Sequence, residues 1–453
     1  MAAAVFTSTE QSNAQRVYLT KIYKGYQNQT DVWGRTEALP DDQINALGLQ
    51  VPFEVSPNPS LGYGTGNGDA FATPQAMNLD SFTVTYVNMN AGTNEAYAAL
   101  LNNNQETSED VFRYMAKSDA QQFASFLNTY ASIGNSTQAL ATVSSNYSGG
   151  SPTIAVCNGT TDSIGPSALV VGGYYTVWDA TGATQRTGTI NAPGVVQLAS
   201  KTAANAVGAT NWPSDMVDTD IICPANTTAN ATATTNASYG LYGLPFIIDS
   251  SGTYFSKSRS TYGNLASYEK TSAGTLTAGM LAETYFSIVQ RGGYMNAGDS
   301  TLIKPLEMWT NAGNVNSYYS LSLSSGAVVG SIHQLNHIGD KKPSIDYGGS
   351  AINFTWFGAP IRIGNKLPGD SIFFCNMSEI RRAVLKDIGP IADGMPASQY
   401  LQAVDSNGNY LQSRLRWNDF WGQLYSPAPF RLGKISGLTL TSPTQKATSV
   451  LSA

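Results

Sequence analysis

The sequence predicts an α+β protein with more than one lobe. Three observations carry that reading. Two stretches repeat apolar residues at helical spacing, many short stretches alternate apolar and polar residues at the two-residue period of a strand, and the 453 residues exceed what one ordinary core encloses. Hydrophobic residues make up 42% of the chain, enough to fold, whereas charged residues make up only 12%, about half the usual share of roughly 25%. The exposed surface must therefore be largely neutral Asn, Ser, Thr, Gln and Tyr, a composition suited to wide contacts with other protein.

Residues 1–50 are polar, with Tyr18, Tyr23, Tyr26 and Trp33 scattered among them without a sustained period, and read as an N-terminal arm. Residues 51–103 read as an extended loop and strand. Pro57, Pro59, Gly62, Gly64, Gly66 and Gly68 preclude a helix, after which Phe82, Val84 and Tyr86 alternate with Thr83 and Thr85. Residues 104–149 hold the clearest helix. Thr107 is its N-cap, Asp110 sits in its first turn, and Val111, Met115, Phe123, Phe126, Leu127 and Tyr130 form one buried stripe that ends near Ser132.

Residues 150–243 turn to Gly, Thr, Asn and Ala and read as a β-rich insertion, with a hairpin turn at Asp179–Gly182. Within it, "CPANTTANATATTNASYG" has too little apolar surface to fold alone. Residues 244–420 mix both element types. A second helix runs from Leu276 to Val289, with Met280, Leu281, Tyr285, Ile288 and Val289 inward and Arg291-Gly292 closing it. "DSTLIKPLEMWTNAG" reads as a strand leading into a helix. A strand with Ile352, Phe354 and Trp356 on one face runs into "FGAPIRIGNKLPGDSIFFCNMSEI", which reads as two strands and then a helix capped by Asn376, with Glu379 at N3 and Ile380, Ala383 and Val384 inward. "LQSRLRWNDFWGQLYSPAPFRLGKISGLTL" reads as strand, turn and returning strand, so residues 421–453 are taken as a C-terminal return strand and tail.

The chemistry-bearing patterns are sparse. A net charge of −6 with 25 Lys and Arg and no basic run argues against a specific nucleic-acid reader. The first residues lack a basic n-region, and no stretch approaches the ~20 apolar residues of a membrane span, so the chain is expected in the cytoplasm. Cys157, Cys223 and Cys375 match no metal or redox spacing and read as reduced thiols. Asn-x-Ser/Thr sequons recur from Asn28 to Asn376, as an Asn- and Thr-rich composition produces by chance. His333 and His337 have zinc-like spacing, but Gln334 stands where a metalloprotease needs Glu. "GYGTGNG" breaks the GxGxxG spacing, "DSNGNY" misplaces the glycine of a calcium loop, and neither a P-loop nor a GxSxG elbow occurs. No catalytic, cofactor-binding or metal-binding residue is assigned. Paired carboxylates for glycoside hydrolysis need no fixed spacing and stay open.

The order of arm, Gly-rich extended loop, long helix, β-rich insertion, mixed lobe and returning strand resembles the tailed-phage major capsid proteins of the Hong Kong 97 fold. "GAPIRI", then "LPGDSIFFCN" and a short helix, is similar to that family's C-terminal strand, turn and strand. "GLYGLPFIIDSSGTYFSKSRSTYGNL" and "VVGGYYTVWDATGATQRTG" are similar to segments of some members. The resemblance spans about residues 50 to 440 and rests on order and local character. It implies a peripheral lobe carried by a spine helix within 104–149, an axial lobe within 244–420, and assembly into hexameric and pentameric capsomers of an icosahedral virion shell. That shell would enclose double-stranded DNA without specific binding, with scaffold, portal and decoration proteins as further partners and with no cofactor or membrane. The resemblance also implies that the extended loop reaches over an adjacent subunit, which makes Gly62, Gly64, Gly66, Gly68, Phe71 and Phe82 the expected intersubunit contacts. Two family features have no counterpart here: a long charged helical prodomain, and the Lys and Asn pair that crosslinks a few members. The competing class is a surface-layer or adhesin-type β-rich protein, which would need an export signal; an enzyme is the third.

Overall fold

The computed structural model describes residues 32–39, 48–56, 78–96, 124–143, 154–156, 168–187, 195–201, 206–209, 212–225, 240–293, 306–325, 355–356, 359–364, 366–390, 401–404 and 410–439. A turn of 3-10 helix, Trp33–Arg35, leads into β1 (Glu37–Ala38). β2 (Leu49–Ser56), β3 (Asn78–Val84) and β4 (Val87–Ala96) follow. A helix, α1 (residues 124–133), precedes β5 (Ala141–Thr142), β6 (Ile154–Val156), β7 (Tyr174–Trp178), β8 (Val195–Lys201), β9 (Ala206–Ala209) and β10 (Ile221–Pro224). Next come α2 (Leu244–Ile247), β11 (Thr253–Tyr254), β12 (Lys257–Ser258), β13 (Tyr268–Gly274), α3 (Ala278–Gln290), β14 (Glu307–Thr310) and α4 (Ala312–Ser325). Strands then dominate: β15 (Thr355–Trp356), β16 (Ala359–Ile363), β17 (Ile372–Cys375), β18 (Arg381–Pro390), β19 (Leu401–Val404), β20 (Tyr410–Tyr425) and β21 (Gly433–Leu438). The architecture is α+β.

Three larger sheets organise these strands. In the first, β20 is the axis: β18 and β19 pair along one edge, β4 pairs along the other, and β1 adds to β18 in parallel. The second is a six-stranded antiparallel sheet in the order β5-β10-β7-β8-β9-β6. Its hairpin turn is the expected one at Asp179–Gly182. The Asp179 carboxylate accepts from the Ala183 and Thr184 amides, and Gly182 takes φ 73°, which glycine adopts without strain. The third sheet runs β13-β21-β17-β14-β16-β15. On it lie α3 and α4, whose inward residues join Met308, Ile361, Phe374 and Ile435 in a core of their own. The larger core lies beneath the other elements.

Helix α3 has the inward stripe and closing glycine its sequence predicts, but begins at Ala278 rather than Leu276, behind a cap not expected there. Thr277 accepts from the Met280 amide as N-cap. At the other end Gly292, at φ 78°, donates to Val289 and Gly293 donates to Ile288, the paired bonds that close a helix at a left-handed residue. Leu281, Tyr285 and Ile288 are buried as expected, while Met280 and Val289 are half-buried.

Helix α1 differs from the single-stripe expectation. From Leu127 to Ile133 every residue is buried, including Asn128, Thr129 and Ser132. Thr129 and Ser132 satisfy their hydroxyls on carbonyls one turn back, at Ser125 and Asn128. Asn128 accepts from the amides of Val32 and Trp33, which lays the N-terminal segment across the helix. The rest of the expected helix, from Thr107 to Phe123, lies outside the described residues.

One expectation is corrected. The helix capped by Asn376 is absent, and strand β18 takes its place. The spacing of Ile380, Ala383 and Val384 suits either element, and β1 on one side with β20 on the other supplies a ladder that a helix would forgo. Asn376 instead makes a local turn, accepting from the amide and hydroxyl of Ser378, while the Glu379 amide donates to its carbonyl. It is only 2% exposed, so its sequon is not presented to solvent. Strands β18, β19 and β20 share a sheet with β1 and β4 rather than with the strands under α3 and α4, β21 lies between β13 and β17, and the sheet of β6 to β10 also takes in β5.

Candidate intersubunit surface and the clamp at its root

The extended loop of the sequence begins and ends in the hairpin of β2 and β3, which pair from Leu49↔Val84 out to Ser56↔Asn78. Alternation sorts its residues. Leu49, Val51, Phe53, Phe82 and Val84 are buried on one face, while Gln50, Pro52, Glu54, Leu79 and Thr83 are exposed. Leu79, at the far end, is 60% exposed.

The buried face is received by residues 242–265. Phe82 stacks on Phe255 with ring centroids 5.6 Å apart and 9° between planes, and meets Tyr254 edge-on at 5.1 Å. Phe53 meets Tyr262 edge-on at 5.4 Å. Tyr242 and Phe246 stack on one another at 3.7 Å and present their edges to Phe255. Such pairs add about 0.5–1.5 kcal/mol each beyond the area they bury.

Polar groups lock the same junction. The Lys257 ammonium lies 2.8 and 2.7 Å from the two oxygens of Asp80, a link across 177 positions of sequence. This pair, with the Tyr262 hydroxyl and the Ser81 amide, lowers the Asp80 carboxyl from 3.8 to about 2 and pushes the Lys257 ammonium up. Asn264 donates to the Glu54 carbonyl.

Beneath the rings, Arg259 is buried with its guanidinium over Phe246 and Tyr254, donating to the carbonyls of Phe246, Ser251 and Leu265. Carbonyls rather than a carboxylate satisfy this buried cation.

The turn that supplies Phe255 is unusual. β11 and β12 pair through Thr253↔Ser258 and Tyr254↔Lys257, leaving Phe255 and Ser256 as a two-residue loop. Their φ angles are 43° and 72°, the positive values a type I′ turn requires. Glycine and asparagine take such angles readily, whereas other residues incur on the order of 1–3 kcal/mol each.

Of the expected intersubunit residues, Gly62, Gly64, Gly66, Gly68 and Phe71 lie outside the described residues. Phe82 is described: it is 1% exposed within its own chain, packed by Phe53, Tyr254 and Phe255. Alternation gave the right face of the strand. The aromatic surface that covers that face, Tyr254 and Phe255 above all, comes from 172 and 173 positions further along the chain, so the strand pattern alone could not locate it. Lys257, Arg259 and the Phe255–Ser256 turn were missed because a turn without Gly, Asn or Asp carries no turn signal.

Two of the other chemistry-bearing positions are described. Cys223 and Cys375 are free, buried thiols that burial pushes up, away from the nucleophilic form. His333, His337 and Cys157 lie outside the described residues. Among the described residues, no three His, Cys, Asp or Glu side chains gather as a metal site would require, and no helix is long and apolar enough to cross a membrane.

No family model matches the chain, and no curated protein matches it in sequence. Solved structures similar to it include a chain of the cyanophage A-1(L) capsid asymmetric unit, at 10% identity and a TM-score of 0.48 over 92% of this chain and 95% of that one. The capsid of a native GTA particle computed with C5 symmetry is similar at 8% identity and a TM-score of 0.42, over 93% of this chain and 94% of that one. A chain from Microbacterium phage Oxtober96 is similar at 8% identity and a TM-score of 0.44, over 96% and 100%.

Proposed function

We propose that this chain is a major capsid protein of the Hong Kong 97 type, a structural subunit that self-assembles into the icosahedral head shell of a tailed phage around its double-stranded DNA. The observation that carries the reading is the β2–β3 hairpin. Buried aromatic rings and an ion pair hold one face of it to its own chain from Leu49 to Asp80, and its other face is exposed as far as Leu79, where the chain leaves for residues 57–77. An element held to its own chain along one whole face is a rigid base from which the loop of residues 57–77 can reach a neighbour. The chain's own sequence adds weight: a 12% charged composition favours broad protein contacts, and the order of elements is that of the family it resembles.

On this reading, α1 with the β4-β18-β20 sheet forms the peripheral lobe. α3 and α4 on their six-stranded sheet form the axial lobe that meets its copies at the capsomer centre. Gly62, Gly64, Gly66, Gly68 and Phe71 then lie in the loop that reaches over the adjacent subunit, while Phe82 anchors the loop from within. The net charge of −6 lets packaged DNA move past the wall without tight binding. Scaffold, portal and decoration proteins are the expected further partners.

Negative-stain imaging and sedimentation of the expressed chain, with and without a scaffold protein, test the proposal. Closed shells or pentameric and hexameric rings are expected; planar arrays would favour a surface layer, and a monomer at high concentration under both conditions would overturn shell assembly. Deleting 62–68 is expected to leave a folded chain and weaken assembly.

A further inference from the structure

Two consecutive residues hold unfavourable backbone angles at Phe255 and Ser256, and the hairpin they join has only two paired positions of its own. What lies on either side of that turn is β3. The Phe255 ring is flat against Phe82 of β3, and Lys257, the residue after the turn, bonds both carboxylate oxygens of Asp80, also in β3. The strained pair is therefore gripped at its first residue and immediately after its second by one strand of the hairpin it supports.

We infer that the Phe255–Ser256 turn and the β2–β3 root form a coupled two-state latch. With β3 docked, stacking on Phe82 and the Asp80–Lys257 pair hold the turn in its left-handed form. With β3 released, the turn relaxes and withdraws Phe255 from the site that Phe82 occupied. The hairpin then has a locked pose and a free one, with few poses between, because flat stacking and a bidentate ion pair are lost together. The alternative is that Tyr242, Phe246 and Tyr254, which also touch Phe255, hold the turn without help from β3. The inference concerns a single chain and stands or falls separately from shell assembly.

Hydrogen exchange on the full-length chain decides it, read in three regions: β2–β3, residues 253–258, and the β14–β17 pair as reference. Asp80→Asn is expected to speed exchange by about two- to fivefold in both of the first two regions and to leave the reference unchanged. Ser256→Gly, which removes strain from the locked form, is expected to slow exchange in β3 by about threefold. Faster exchange of β2–β3 with residues 253–258 unchanged would overturn the coupling, because the turn would then hold itself. An Asp80→Asn effect shared equally with the reference, or no effect at all, would also overturn it, as would a Ser256→Gly effect confined to residues 253–258.

Discussion

The larger core collects side chains from Val32 to Leu432, whereas the core beneath α3 and α4 collects them from Leu276 to Leu438, nearly all from one continuous stretch closed by a single late strand. Their polar contacts differ in the same way. In the larger core, Asn128 reaches Val32, Gln138 accepts from Gly240, Tyr242 donates to Gln423, and Tyr254 accepts from Ser426. In the smaller core, the polar bonds near α4 tie Asn314 to Asn311 and Thr310, with Ser371 and Gly369 closing the group. The difference teaches where a substitution should act locally and where it should spread.

The largest expected effect tests which surface Phe82 serves. Phe82→Ala should destabilise the unassembled chain by about 3–5 kcal/mol, the usual result of removing a buried phenylalanine, as measured by denaturant unfolding. Unchanged chain stability with impaired assembly would instead place Phe82 in a contact between copies.

Gly243→Ala comes next, because a Cβ there would sit 2.1 Å from the Tyr130 carbonyl and 2.6 Å from that of Ala131. Backbone atoms cannot give way as a side-chain end can, so a loss of about 1–3 kcal/mol is expected. It should register at both α1 and residues 240–248 in hydrogen exchange. A change confined to residue 243 and its neighbours would contradict the idea that the larger core spreads perturbation.

Thr277→Ala should remove about 1 kcal/mol and act only on the first turns of α3, since the N-cap bond is three residues long in sequence. If exchange at β2–β3 changed as well, the two cores would not be separable.

The smallest effect is one of pH. Because the Asp80 carboxyl is held to about 2 when folded against an ordinary 3.8, its contribution is fully present above pH 3.8 and is lost as pH falls through about 2. Pepsin cleavage within the β2–β3 hairpin should rise across that window, and Asp80→Asn should flatten the dependence.

These contrasts also explain what could be read from the residues alone. Helix α3 was legible because its apolar stripe and closing glycine all lie within thirteen residues, 280–292. The strand, turn and strand of 359–375 were legible for the same reason. The clamp was not, because Asp80 and Lys257 are ordinary surface residues until the fold brings them together. Nor was β18, whose apolar spacing fits a helix equally well until β1 and β20 are placed beside it.

The position of β21 sets a clock on the protein's making. β13 ends at Gly274 but pairs with β21, which ends at Leu438 and also pairs with β17. A ribosome adding about 5–20 residues per second needs roughly 10–30 s to cover that interval. The six-stranded sheet of β5 to β10, finished by Pro224, faces no such delay. A nascent chain thus carries one completed sheet while the seat for β21 between β13 and β17 stands open, so a ribosome that stalls before residue 433 leaves an unfinished product with exposed strand edges for chaperones and proteases to recognise.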